Sequence, residues 1–407
     1  TPKPKGSPTP SPSPTIHPSP TPMPTMTPGP IAQTHVLTMQ DASGIDSPTY
    51  SWGQMAQYVS WSVVGPADDA PAQAAGIKTI LYTDPNRVYE GMPEYSNDET
   101  EYAHDCSNNR ITINDTKQTT YLTEPTSSTL LGLWQQHVAF YNQIGNAQYN
   151  MVFEDTPLVH NVSAQPCGYL QPSWLANQNT MGTALNYPII FNGLGNLANG
   201  PDQMSPAMAL LPSSIGGEME GCYSNYAGDP MPNLQVWHTF ENTEIQVLAS
   251  GKLFVCRGFD NTPDVSAQVQ RLYMYGSFLL TYDPARAVIS PKFTPANSGF
   301  WIQPENQFVA LDPVVMQPSS VDQLNEGTNV YGRQYRNCYY AGQWIGACAS
   351  IVNSDRPNLS HPLPWTGVYH HTLVLSGGDI LDGGTATTNG PAPPSDIQGS
   401  SSIIVIQ

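Results

Sequence analysis

Between residues 34 and 289 short apolar runs alternate with helical stretches, and most of the apolar runs stop at a charged or amide side chain. This alternation is the strongest constraint on the fold. A strand followed by a helix and then another strand pairs parallel with its neighbours, because the crossover returns the chain to the same end of the sheet. The runs that read as strands are His35–Asp41, Ile77–Asp84, a short one at Thr119–Thr123, Tyr149–Glu154, Tyr187–Asn192, Gly216–Glu220, Lys252–Arg257 and Ala285–Ile289. Helices are expected at Ser51–Tyr58 with Ser51 as cap, at Ser127–Ile144, near Trp174–Leu185, at Val236–Ala249 and at Val265–Leu280. Eight strand units over about 255 residues match a (β/α)₈ TIM barrel, whose usual size is about 250. The rival is an open doubly wound sheet, but no G-x-G-x-x-G follows the first strand.

The pattern changes near residue 295. Helical spacing gives way to short β-rich runs at Phe308–Leu311, Gly332–Tyr335, Ile345–Val352, Tyr369–Leu375 and Ser402–Ile406, with Gly-Gly pairs at 377–378 and 383–384. This predicts a small antiparallel β-sandwich. At the other end, residues 1–30 hold 12 of the 40 prolines, mixed with Ser and Thr. Such a segment forms polyproline II and builds no core, so it reads as a linker. The expected organisation is a linker over 1–30, a barrel over 31–292 and a β-domain over 293–407.

Formal net charge is −18, and only 11% of the residues are charged. A surface this acidic repels phosphate backbones, which argues against nucleic acid as a partner. No run of 18 apolar residues suggests a membrane span. The low charge, the Pro-rich start and the even cysteine count together suggest an exported protein, extracellular or on the cell surface. In that setting the linker would space the folded part from a cell wall or a membrane anchor. Of the six cysteines, Cys338 and Cys348 flank a short Gly-containing hairpin segment and are the expected disulfide pair. Cys256 lies in the apolar run Leu253–Cys256 and reads as a buried thiol.

If the barrel is right, its C-terminal rim gathers Asp41, Asp84, Glu154, Asp155, Asn192, Glu218, Glu220 and Arg257, each at a strand end, with Tyr82 beside them. TIM-barrel active sites lie at that rim. Strand interiors avoid acids, so carboxylates closing the fourth and sixth strands are candidates for paired acid and base work, as in glycosidic cleavage. Asp155, Glu220 and Glu154 are the candidate catalytic residues; Asp41, Tyr82, Asp84, Asn192, Glu218 and Arg257 are candidate substrate contacts. Neighbours in an extended strand point oppositely, so only one of Glu154 and Asp155 enters a pocket easily, whereas Glu218 and Glu220 share a side with Glu218 deeper. The aromatic residues Trp52, Tyr95, Tyr169, Trp174, Tyr223 and Tyr226 join Tyr82 in or near rim loops. The histidines make no convincing metal site, no cofactor is expected, and no G-x-S-x-G elbow is present.

These residues resemble those of hypothetical glycoside-hydrolase-like TIM-barrel families, broadly related to α-galactosidase- and α-amylase-type barrels with a C-terminal β-domain. The family's fourth strand ends in a hydrophobic-hydrophobic-x-Asp motif, which Val152-Phe-Glu-Asp155 resembles, and its sixth carries x-x-Glu-Gly, which Glu218-Met-Glu-Gly221 resembles. Arg271–Leu280 with the following Tyr-Asp-Pro, and Tyr331–Tyr335 leading to Ser350–Asn353, are similar to family segments as well, so that the likeness spans about 34–405. In the α-galactosidase-type clan the resemblance implies Asp155 as nucleophile, Glu220 as proton donor and a retaining reaction. Glu154, directly before Asp155, departs from the pattern and stands as a third candidate. Two functions fit: an exported glycoside hydrolase acting on an oligo- or polysaccharide, or a non-catalytic glycan-binding or structural surface protein, homo-oligomeric or filamentous.

Overall fold

The computed structural model describes residues 29–41, 50–114, 118–144, 148–196, 203–224, 234–260, 267–293 and 302–407. The Pro-rich stretch up to residue 28 lies outside them. Eight parallel strands close on themselves: β1 (Leu37–Asp41), β2 (Trp61–Val63), β3 (Lys78–Thr83), β4 (Met151–Glu154), β5 (Ile189–Asn192), β6 (Gly216–Glu220), β7 (Leu253–Asp260) and β8 (Ala287–Phe293). Closure runs through Leu37 against Val288 and Thr38 against Ile289. The (β/α)₈ class expected from the alternation is the class observed.

One strand differs from the expectation. The second barrel strand is Trp61–Val63, which the sequence reading passes over, and Thr119–Thr123 supplies no barrel strand. Residues Thr120–Leu122 pair antiparallel with Arg87–Val88 and Thr112–Ile113 in a small sheet inside the long connection after β3. The reason is physical. Three residues with a buried serine at their centre show no period of two, and they lie between two helices, α1 (Trp52–Met55) and α2 (Pro66–Ala74). Ser51 caps α1 in a full capping box with Gln54, but the helix stops at Met55 rather than Tyr58. The remaining helices, α3 (Ser128–Ile144), α4 (Gln171–Leu185), α5 (Leu234–Ala249) and α6 (Ala267–Thr281), fall where their apolar spacing placed them.

Inward-facing side chains plug the barrel: Met39, Trp61, Val63, Ile80, Met151, Phe153, Ile190, Val255 and Val288. Their strand neighbours, such as Val152, Ile189, Phe191, Met219 and Phe254, face outward onto the helices. The C-terminal region builds separate antiparallel sheets. In the largest, β9 (Phe308–Pro313), β10 (Val330–Tyr340), β11 (Gln343–Asn353), β12 (His371–Thr372) and β13 (Ser401–Ile406) lie in the order β9-β10-β11-β13-β12.

That sheet rests on α6, and the approach is close. The Ser350 hydroxyl donates to Gly276 O at 2.8 Å and the Ser402 hydroxyl to Leu272 O at 2.7 Å. A Cβ on Gly276 would come within 2.0 Å of Ser402 Oγ. Arg271 of α6 donates through Nε to buried Glu305 at 2.8 Å and through Nη1 to Gly377 O at 2.7 Å. Removing either member of the Arg271–Glu305 pair would strand a buried charge, which is costly.

The six cysteines form three disulfides. Cys338–Cys348 joins β10 to β11, the expected pair. Cys106–Cys167 fastens the inserted sheet to the connection after β4. Cys256 is buried, as its apolar run implies, but it is bonded to Cys222 rather than a free thiol. It faces outward from β7 and meets the chain two residues beyond Glu220.

Glu241 and Glu244 of α5 are fully buried beside the Tyr223 hydroxyl, which donates to Glu244 at 2.8 Å. Burial pushes Glu244 up to about 8 and raises Glu241 as well, the latter further through its neighbour's charge. In the unfolded chain such groups titrate near 4.5. Between the two values the folded chain holds protons that the unfolded chain has released, so stability must fall as pH rises from about 4.5 to about 8. Carboxylates held below their ordinary range, such as Asp105 and Asp355, act at lower pH. The melting temperature at pH 5.5 should exceed that at pH 8.5 by about 4 °C or more, and Glu244→Gln should flatten the slope. Thermal melts across this interval check it; a melting temperature that rises with pH refutes it.

Candidate active site

The site follows from the alternation along β4 and β6. On β4, Met151 and Phe153 face into the barrel while Val152 and Glu154 face out, so the next inward position is Asp155, just past the last strand residue. On β6, Met219 faces the helices, which leaves Glu218 and Glu220 on the inner side.

Asp155 is held by several donors. Tyr82 donates to Oδ2 at 2.6 Å, Asn192 Nδ2 to Oδ1 at 3.0 Å and the Thr156 backbone N–H to Oδ1 at 2.8 Å. Arg87 Nη2 lies 3.5 Å from Oδ2. The Tyr82 hydroxyl stays protonated, because burial, and then the charges of Asp155 and Asp84, push its titration far upward. The same Asn192 nitrogen reaches Glu220 Oε2 at 3.3 Å. Laid end to end, contacts of 3.0 and 3.3 Å bound the Asp155–Glu220 oxygen separation at about 6.3 Å.

A cavity of about 270 Å³ opens over this pair, with Arg87, Thr156, His160, Asn192 and Asn196 in its walls. Two backbone features shape it. Thr156 has φ +54°, in the left-handed region that β-branched residues avoid, and it precedes a proline that disfavours helical geometry further. Gly195 lies so close to the β6 strand end that a Cβ would come within 2.4 Å of Glu220 O. Both fix the chain where the two carboxyl groups meet.

The other expected residues divide into three groups. Arg257 donates to Asp41 at 2.8 Å and to Glu218 at 3.3 Å, forming a charge cluster beside the cavity rather than in its lining. Burial pushes Glu218 up to about 7; Arg257 opposes this, while Glu220, Asp41 and Asp155 add to it. Asp84 is buried and bonded to Arg87 Nε. Burial raises its pKa well above the carboxylate range although Arg87 opposes it. Glu154 is buried behind β4, where Asn86 Nδ2 donates to it at 3.2 Å, and burial raises it to about 7. It is absent from the cavity lining.

Of the rim aromatics, Tyr82 alone among the described residues bonds to the carboxyl pair. Trp174 and Tyr223 are buried in the core, Tyr169 packs on Trp174, Tyr95 packs on Tyr102, and Trp52 donates to Asp68. Tyr226 lies outside the described residues. The sequence reading missed Arg87, Thr156, His160 and Asn196. For Arg87 a signal existed: it stands three residues after Asp84, where a turn brings the two together. For the others the sequence offers no period or charge pattern. Among the described residues no three His, Cys, Asp or Glu side chains are grouped to hold a metal ion.

No family model matches the chain, and no curated protein matches it in sequence. Solved structures similar to it include the glycoside hydrolase domain of PelA from Pseudomonas aeruginosa, at 10% identity and TM-score 0.41, covering 65% of this chain and 96% of that one. Aspergillus fumigatus Ega3, solved in complex with galactosamine, is 12% identical with TM-score 0.41, covering 68% and 96%. A GH30 endoxylanase from Clostridium papyrosolvens C71 is 10% identical with TM-score 0.47, covering 93% and 97%. The closed parallel barrel rests on this chain's own strand pairing.

Proposed function

We propose that the chain is an exported glycoside hydrolase that cleaves an extracellular oligo- or polysaccharide with retention of configuration. Asp155 acts as nucleophile and Glu220 as acid and base. The observation that carries the reading is the single amide of Asn192 touching both carboxyl groups inside an open cavity. An upper bound of about 6.3 Å lies below the roughly 6.5–9.5 Å of inverting enzymes, which must fit a water between the groups, and admits the roughly 5–5.5 Å of retaining ones. Three disulfides and the Pro-rich start support export, with that segment as the spacer.

In the first step an Asp155 oxygen attacks the anomeric carbon while Glu220 gives its proton to the departing glycosidic oxygen. The C–O bond to the leaving sugar breaks and a glycosyl ester on Asp155 forms. In the second, Glu220, now a carboxylate, takes a proton from water; the water oxygen attacks the anomeric carbon and the ester breaks, restoring both groups. Tyr82, Asn192 and the Thr156 N–H hold the nucleophile's oxygens in fixed directions, so little reorganisation is needed as its charge moves into the new bond. Glu154 faces away and takes no step.

Three substitutions test the roles on a panel of neutral polysaccharides and on 4-nitrophenyl glycosides. Asp155→Asn should abolish turnover of both. Glu220→Gln should slow the polysaccharide by about 100-fold or more and the activated aryl glycoside less, since a good leaving group needs less protonation. Glu154→Gln should stay within a few-fold of wild type. If Asp155→Asn and Glu220→Gln keep near-normal rates, the assignment is wrong; if Glu154→Gln alone is inactive, Glu154 carries the role. Proton NMR of the first-formed sugar should show the anomeric configuration of the substrate, and an inverted product would exclude the double displacement.

A fourth substitution probes the strain. Thr156→Gly removes a left-handed β-branched residue whose conformation costs about 1–3 kcal/mol, against an unfolded-state entropy cost of about 0.5–1 kcal/mol for the new glycine. The melting temperature should hold or rise while kcat falls, because Asp155 loses its rigid flank. A variant that melts lower with unchanged kcat would show that the strained turn contributes nothing to catalysis.

A further inference from the structure

His160 belongs to two cavities. It stands in the wall of the one over Asp155 and Glu220, and it also lines a second, of about 430 Å³, together with Asn114, Asn161, Val162 and Gln165. The first cavity alone, about 270 Å³, is small for a ligand site, which commonly spans about 300–1,000 Å³. The two share His160, so the outer cavity neighbours the inner one on the connection after β4.

The outer cavity is a built feature. Its floor is the seam between the inserted sheet and that connection. Asn114 N donates to Asn161 O at 2.7 Å, Ser163 N to Thr112 O at 2.8 Å and Cys167 N to His104 O at 2.9 Å, and Cys106–Cys167 locks the same seam covalently. Asn161 holds φ +52°, a left-handed conformation that asparagine tolerates better than most residues.

The chemistry of its walls differs from that of the inner cavity. The inner one presents Arg87, Asp155 and Glu220. The outer one presents three carboxamides, a histidine and a valine, with no carboxylate, Lys or Arg among the described residues that line it. Carboxamides both donate and accept, as hydroxyl groups do, so they match a ligand rich in hydroxyls and free of charge. His160 Nδ1 lies 2.8 Å from Leu158 O. A carbonyl only accepts, so Nδ1 carries the hydrogen in that contact, which leaves Nε2 to meet a ligand hydroxyl.

We infer that the outer cavity binds further uncharged sugar units of an oligosaccharide whose scissile bond lies over Asp155 and Glu220, with His160 at the junction. This rests on the carbohydrate reading of the inner site and names its substrate as a chain of several units rather than a single glycoside.

The experiment uses the full chain carrying Asp155→Asn and measures binding by calorimetry. The probes are cellohexaose, xylohexaose, mannohexaose and maltohexaose against their disaccharides. At least one hexaose should bind tenfold or more tightly than its disaccharide, and Gln165→Trp, which fills the outer cavity from an exposed position, should erase that difference. His160→Ala should reduce it. Equal binding of long and short chains, no binding of any hexaose, or a difference that survives both substitutions overturns the inference. Thermal melts confirm that each variant is folded. The same sugars offered to the wild-type chain separate this inference from the hydrolytic one. Length-dependent binding without bond cleavage leaves the outer site standing and removes the catalytic reading; cleavage without length dependence does the reverse.

Discussion

One amide nitrogen sets the geometry of the site. Asn192 closes β5, and β5 is the strand between β4 and β6 in the barrel order. Adjacent strands are about 4.8 Å apart, so two strands separated by a third stand nearly 10 Å apart along the wall. Asp155 and Glu220 would sit too far apart for one bond to pass between them if they rose straight from their strands. Barrel curvature tilts their side chains together, and the Asn192 amide holds both ends of the remaining gap. Moving any of the three strands changes that separation, so closure of the barrel and spacing of the carboxyl groups are one constraint.

The surroundings keep that constraint rigid. Cys222–Cys256 ties the end of β6 to β7, and Gly195 lets the chain after β5 lie against Glu220 without a side chain between them. On the other flank, the Thr156 turn holds a backbone conformation that its side chain disfavours, which lasts only because the surrounding contacts overdetermine it. The buried acids act in the same sense. Glu154 and Glu218 are raised to about 7 by burial, so near neutrality neither is a full negative charge beside Asp155 and Glu220. A net acidic barrel mouth is thereby less repulsive than its count of carboxyl groups implies.

How much of this was legible in the sequence varies with distance along the chain. Period-two alternation is local, so Phe153-Glu154-Asp155 and Glu218-Met219-Glu220 disclose from sequence alone which acids share a side. The strand Trp61–Val63 was not legible, because three residues carry no period and the barrel alone recruits them. Thr120–Leu122 had the stronger β composition and pairs outside the barrel. Cys256 shows the same limit: its run announced burial, but its partner lies 34 residues away and is brought near by the β6–β7 pairing alone. Arg87, His160 and Asn196 sit on connections, whose course depends on the scaffold beneath them.

The two sides of the barrel are put to different uses. Around β7 and β8, α6 is covered by the C-terminal sheet, with the Arg271–Glu305 pair buried and serine hydroxyls bonded to helix carbonyls. Around β3 and β4 the connections are long, and one of them carries its own three-stranded sheet. Long connections lose order unless something holds them, and here a disulfide and a seam of backbone bonds do so at the point where the second cavity begins. The insertion and its fastening stand beside the outer cavity, where the longer ligand proposed above would need a wall.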